Sequence, residues 1–117
     1  MGLKLHGSPF STCTQRVLTV LAEKGVTDYE IVPVNLPAGE HKQPAHVALQ
    51  PFGKIPVLED DGFFVYESRA ICRYIASKYA DQGTPIMPKS TDLKALAIFE
   101  QVRFSEHSEI EALANHN

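Results

Sequence analysis

The sequence predicts an α/β domain followed by a helical segment, and three observations carry that expectation. Leu3-Lys4-Leu5-His6 and Tyr29-Glu30-Ile31-Val32 both read as strands, and a helical stretch lies between them, so the pair forms a βαβ unit with parallel strands. Val57-Leu58-Glu59 and Phe63-Phe64-Val65-Tyr66 are β-rich runs joined by Asp60-Asp61-Gly62, a hairpin signal. Behind the hairpin, Glu67-Ser68 opens a helix. Strand, helix, strand, a loop with at most one helical turn, hairpin, helix is a thioredoxin-like order.

The elements follow in turn. The first strand alternates like a half-buried one and ends at Gly7-Ser8-Pro9. Thr12-Cys13-Thr14-Gln15 matches a capping box, with Thr12 as N-cap and Gln15 reaching back. That placement leaves the Ser11 hydroxyl free to face whatever binds at the loop. The helix should run to Lys24 with Val17, Leu18, Val20 and Leu21 as its apolar face, and Gly25 sits where a left-handed residue is wanted. Residues 35–50 contain Pro37, Gly39 and Pro44, so irregular structure is expected, with at most a short helix near Ala45 to Leu49. Within it, Gly39-Glu40-His41-Lys42 puts two potential cations on a surface loop. Phe52-Gly53-Lys54 is a glycine turn, and Pro56 biases Ile55 toward an extended conformation.

The helix opened by Glu67-Ser68 has Ala70, Ile71, Tyr74, Ile75 and Tyr79 as its expected apolar side. Its start suits an anion, because the first amides lack partners and the dipole end is positive. Ser68 adds a hydroxyl and Glu67 a negative charge, which together fit a group carrying carboxylate and ammonium. The plainer alternative is that Ser68 caps the helix and Glu67 complements its dipole.

Residues 82–89 read as a linker, dividing a first domain, 1–81, from a segment 90–117. In the latter, Ser90-Thr91-Asp92 looks like a helix start, and Leu93, Leu96, Ala97, Ile98, Phe99 and Val102 are apolar around more than one face. Such a helix wants neighbours on several sides. From Ser105 the chain turns polar, so the helix is expected to find its cover in another subunit, with Phe52 as a candidate for insertion into a partner or, equally, for ordinary core packing.

The whole-chain numbers bound the function classes. At 117 residues and 44% hydrophobic content there is one domain, or one with part of another, and a core can be filled. No run approaches the roughly eighteen apolar residues of a membrane span, and Met1-Gly2-Leu3-Lys4 leads straight into a strand, so a cytoplasmic location is expected. Two cysteines far apart in sequence fit free thiols in a reducing compartment. A net charge of -3 with scattered Lys and Arg argues against nucleic acid. No Cys/His spacing suits a metal.

SPFSTCTQRVL after the first strand, GEHK in the second loop, PFGKIPVLED with its proline, and YESRAICRYIASKY at the last helix together resemble the glutathione transferases, and within them the phi class of plants and fungi. The resemblance covers the whole chain. It implies a thioredoxin-like N-terminal domain followed by the first helix of an all-helical domain. It further implies a transferase that adds the glutathione thiolate to small hydrophobic electrophiles, with glutathione as co-substrate, no metal, and a homodimer.

Residue by residue, Ser11 corresponds to the hydroxyl that donates to the glutathione sulfur and favours its thiolate. His41, Lys42 and Lys54 would hold the glycyl carboxylate. The backbone of Ile55, before a cis Pro56, would pair with the cysteinyl unit, while Glu67 and Ser68 would take the γ-glutamyl ammonium and carboxylate. Two other readings stay open. Cys13 lies at the positive end of a helix, a position that suits a glutathione-dependent thiol reductase. A non-catalytic ligand-binding module keeps the same fold. Cys72 is read as a packing residue.

Overall fold

The structure, a computed structural model, describes residues 2–88 and 91–101. Expectations placed on Ser90, Val102 and the polar stretch from Ser105 fall outside those residues. The chain divides into two units, Met1–Thr84 and Pro85–Asn117.

In the first unit the elements run β1 (Leu3–Gly7), α1 (Thr12–Glu23), β2 (Tyr29–Pro33), a 3-10 turn (Glu40–Lys42), α2 (Pro44–Val47), β3 (Val57–Asp60), β4 (Phe63–Tyr66) and α3 (Ser68–Lys78). The sheet order is β2-β1-β3-β4. The β1 and β2 strands are parallel, as the intervening helix requires, whereas β3 pairs antiparallel with both β1 and β4.

The core lies where α1 and α3 cover this sheet. Leu3 and Leu5 alternate inward from β1, Leu58 joins them from β3, Val17 and Leu21 come from α1, and Ile71 and Ile75 from α3. Each of the last six is fully buried, so removing one side chain to alanine costs about 2–5 kcal/mol. Ala70, expected on the apolar side of α3, is exposed, and Ala76 is buried instead. Ile71 and Ile75 set the inward direction, and one residue before Ile71 is rotated by about 100° from it, which accounts for the exposure of Ala70; the rotation alone does not account for the burial of Ala76.

The turns obey local chemistry. Gly25 takes φ 67 beyond the C-cap Lys24, which is the left-handed residue a helix end favours. The hairpin loop is two residues, Asp61 and Gly62, both with positive φ (48 and 86), the mirror-image turn that matches strand twist. Asp60 is thus the last residue of β3 rather than part of the turn. Its buried carboxylate accepts hydrogen bonds from the Tyr74 hydroxyl and the Lys78 ammonium, both 2.5 Å.

Residues 82–84 fold back on α1. Thr84 N–H donates to the Glu23 carbonyl at 2.8 Å, and the Gln82 amide donates to the Lys24 carbonyl, also at 2.8 Å. These two acceptors are among the helix-end carbonyls that have no partner within the helix. Gly83 fits because a Cβ there would meet Glu23 and Lys24 backbone atoms at about 2.5 Å. In the second unit, residues 93–101 are helical, and Asp92 Oδ1 accepts from the Ala95 amide at 3.1 Å, so Asp92 caps that helix.

Candidate functional site

Strand register gathers the predicted residues at one end of the sheet. His6 of β1 is opposite Val57 of β3, and Val57 is opposite Tyr66 of β4. At that level β1 leaves toward Ser8–Ser11, β3 has just come from Ile55-Pro56, and β4 leads to Glu67-Ser68. The parallel partner β2 ends beside the same level, with Pro33 opposite Gly7, and sends out the loop bearing His41 and Lys42. Two helix N-termini, those of α1 and α3, open there.

Ser11 is the N-cap of α1: its Oγ accepts from the Thr14 amide at 3.1 Å. The expected cap Thr12 is instead the first helical residue, and the Gln15 side chain donates to the Pro9 carbonyl at 3.0 Å rather than reaching back. The cause is Thr14, which is buried against Gly7, where an added Cβ would approach its side chain to 2.7 Å. Packing Thr14 inward fixes the helix phase one residue earlier than the capping-box pattern. The Ser11 hydroxyl is therefore engaged once as an acceptor, and its single proton can still be offered to a ligand.

The second loop is held from behind. His46, buried on α2, donates from Nε2 to the Lys54 carbonyl at 2.6 Å, and buried Gln50 accepts from the Phe52 amide at 2.5 Å. Gly53 adopts φ 62, and a Cβ there would meet Lys42 Cδ at 2.9 Å and the His41 carbonyl at 3.1 Å. That glycine lets His41 and Lys42 lie directly against the turn that carries Lys54. Lys42 Nζ donates to the Phe52 carbonyl at 3.3 Å. His41 Nδ1 is buried with no hydrogen-bond partner among the described residues. The Ile55-Pro56 peptide bond is cis, as expected.

On the other side of the site, Glu67 occupies the N-cap position of α3 with φ 75 and makes no side-chain cap bond. A non-glycine residue in that region costs on the order of 1–3 kcal/mol. Of the plainer reading, the Ser68 half fails: Ser68 is the first helical residue rather than the cap, and Glu67 holds the cap position. The Ser68 hydroxyl, buried, accepts from Arg16 Nη1 at 2.7 Å. Arg16 was not singled out in the sequence, and its partner lies too far along the chain for any local pattern to reveal. One turn further on, burial pushes the Cys72 thiol up to about 11, with the Arg16 and Arg69 charges opposing the rise. Cys72 is a packing residue, and Cys13 is a half-buried free thiol. A separate cavity of about 210 Å³, lined by His6, Val34, Glu40, His46 and Leu49 among others, contains none of the predicted site residues.

Residues 1–77 match the family described as "Glutathione S-transferase, N-terminal domain". The chain belongs to the glutathione S-transferase family. A relative in Arabidopsis thaliana, glutathione S-transferase PM239X14, is 50% identical over 115 residues, spanning 97% of this chain and 52% of that protein. Among solved structures, glutathione transferase F7 from Populus trichocarpa shares 54% identity with a TM-score of 0.74, over 81% of this chain and 44% of the other. A glutathione S-transferase-I solved with lactoylglutathione bound matches at 36% identity and a TM-score of 0.80, over 98% of this chain and 53% of that one. The glutathione transferase N-terminal fold read from the sequence is present, and the plant relatives are of the phi type. The chain spans about half the length of the curated relatives it matches. Among the described residues, no helix is long and apolar enough to cross a membrane.

Proposed function

We propose that this chain supplies the glutathione site of a phi-type transferase that adds the glutathione thiolate to small hydrophobic electrophiles. The observation that carries the reading is the register: Ser11, Ile55-Pro56 and Glu67-Ser68 leave the sheet side by side at His6, Val57 and Tyr66. Ser11 donates its remaining proton to the sulfur, and a charge-assisted bond of that kind suffices to lower a thiol pKa by a unit, about 1.4 kcal/mol. His41, whose buried Nδ1 lacks a hydrogen-bond partner among the described residues, joins Lys42 and Lys54 at the glycyl carboxylate. The Ile55 backbone pairs with the cysteinyl unit, and Glu67 and Ser68 receive the γ-glutamyl ammonium and carboxylate. Catalysis is then positioning plus thiolate stabilisation.

The same reading takes residues 1–81 as the glutathione-binding domain and the helix after the linker as the first of an all-helical domain, in a cytoplasmic homodimer. Exposure of apolar side chains supports assembly: Phe52 is 65% exposed and touches Tyr66 only edge-on, with ring centroids 6.3 Å apart, and Leu93 and Ile98 are 74% and 64% exposed. Phe52 is thus not a core residue, which favours the partner-insertion reading.

Conjugation of glutathione to a chlorinated aromatic electrophile by the full-length protein tests the assignment. Ser11→Ala should lower the rate roughly ten- to a hundredfold, the worth of a hydrogen bond to a charged group. Cys13→Ser should leave it nearly intact. An active Ser11→Ala beside an inactive Cys13→Ser moves the protein to the thiol reductases.

A further inference from the structure

The bond between Arg16 and Ser68 joins the two helices whose N-termini open at the site, and its chemistry is directional. A guanidinium only donates, so the 2.7 Å contact occupies the Ser68 oxygen as an acceptor. The hydroxyl proton must then point away from Arg16. Ser68 is 5% exposed, which restricts where that proton finds an acceptor, and the Ser68 amide stands at the first helical position, where no intrahelical carbonyl awaits it. The ladder of α3 begins only with Ile71 N–H to the Glu67 carbonyl at 2.9 Å. A half-buried cation thus lies one hydroxyl behind an amide donor and a forced hydroxyl donor. Arg16 lies on α1 between one and two turns beyond the Ser11 cap, so one rigid helix sets both the serine at the sulfur and the charge behind Ser68.

We infer that Arg16 is a positioning and specificity-determining residue that orients the Ser68 proton toward the γ-glutamyl α-carboxylate and, by its charge, selects a carboxylate over a neutral amide there. The inference rests on the proposed glutathione reading and names what makes that subsite selective. Arg16 itself does not touch the ligand; it acts through Ser68.

The test is a set of binding titrations on the full-length protein with two probes, glutathione and glutathione amidated at the γ-glutamyl α-carboxylate. The native protein should bind the amide about 10- to 100-fold more weakly, the range for one hydrogen bond to a charged group. In Arg16→Met, glutathione affinity should drop close to that of the amide, and the preference between probes should shrink to less than about threefold. Arg16→Gln, which keeps an N–H donor without charge, should fall between, and Arg16→Lys should restore most of the preference. A purely structural arginine would weaken both probes alike. Full retention of the native preference in Arg16→Met, or in Arg16→Gln if the methionine variant does not fold, overturns the inference while leaving the glutathione reading standing. Failure of the native protein to bind glutathione overturns that reading itself, and the inference with it.

Discussion

The two ends of the sheet treat polar groups in opposite ways. At the hairpin end, Asp60 is buried and satisfied within the chain by Tyr74 and Lys78. Those hydrogen bonds, that from Lys78 first, hold the Asp60 carboxyl below its usual range, and the same bonds raise Tyr74 and Lys78. At the opposite end the groups are left incomplete. Ser11 has a proton to give, His41 Nδ1 is buried without a partner among the described residues, and Glu67 is held at φ 75. Closed polar clusters stabilise a fold, whereas donors left open in a rigid frame are what a ligand completes.

Substitutions at each end sharpen that contrast. The largest effect is expected from Ser11→Asp, which keeps a side-chain acceptor for the Thr14 amide but has no proton to donate and puts a negative charge beside a thiolate. Conjugation should fall by more than about a hundredfold while the thermal midpoint stays within a degree or two, because the cap is preserved. A matching fall in stability would mean that Ser11 serves the helix rather than the chemistry.

Asp60→Ala should do the reverse. It leaves the Tyr74 hydroxyl and the Lys78 ammonium without their acceptor, and with Lys78 over a third exposed the cost is about 2 kcal/mol, read from the denaturant midpoint. Glutathione affinity should be unchanged. The pH dependence follows from the sign of the shift. Asp60 is depressed in the folded state, so its contribution is present above the unfolded aspartate value of about 3.9 and disappears as pH falls through the lower folded value. Unfolding titrations of Asp60→Asn should show that acid-side loss flattened below about pH 4; an unaltered profile would show that the cluster is not what acid breaks.

Glu67→Gly gives the smallest effect and the most pointed one. Releasing φ 75 should stabilise the protein by about 0.5–1 kcal/mol once the entropy of glycine is subtracted, yet weaken glutathione binding by removing the carboxylate. A loss of both would mean that the strained turn is supported by contacts of the Glu67 side chain.

The hairpin end and the core were legible in the sequence because each depends on neighbours along the chain. Asp61-Gly62 names its own turn, Gly25 its helix end, and Leu3, Leu5, Val17, Leu21, Ile71 and Ile75 follow their periods. The site end was legible in membership but not in detail. Two hydroxyl residues in succession, Ser11 and Thr12, both satisfy a cap pattern, and only the burial of Thr14 against Gly7 decides between them. The Arg16–Ser68 bond and the His46 support for Lys54 arise from how helices and loops meet, so no local pattern announces either. Residues 82–84 were read as a plain linker because proline and glycine break elements, although the stretch is hydrogen-bonded to α1.

That last contact defines a load path. Tension applied to the chain beyond Thr84 reaches the first unit through the Thr84–Glu23 and Gln82–Lys24 bonds and enters the C-terminal end of α1, the helix whose other end is capped by Ser11. With Gly83 seated against the Glu23 and Lys24 backbone, the strap packs on one end of α1 while Ser11 caps the other. Peeling the strap leaves two helix-end carbonyls to water, a far smaller loss than stripping a strand from the sheet. Under load the exit of the chain should therefore yield before the β ladder that aligns the site.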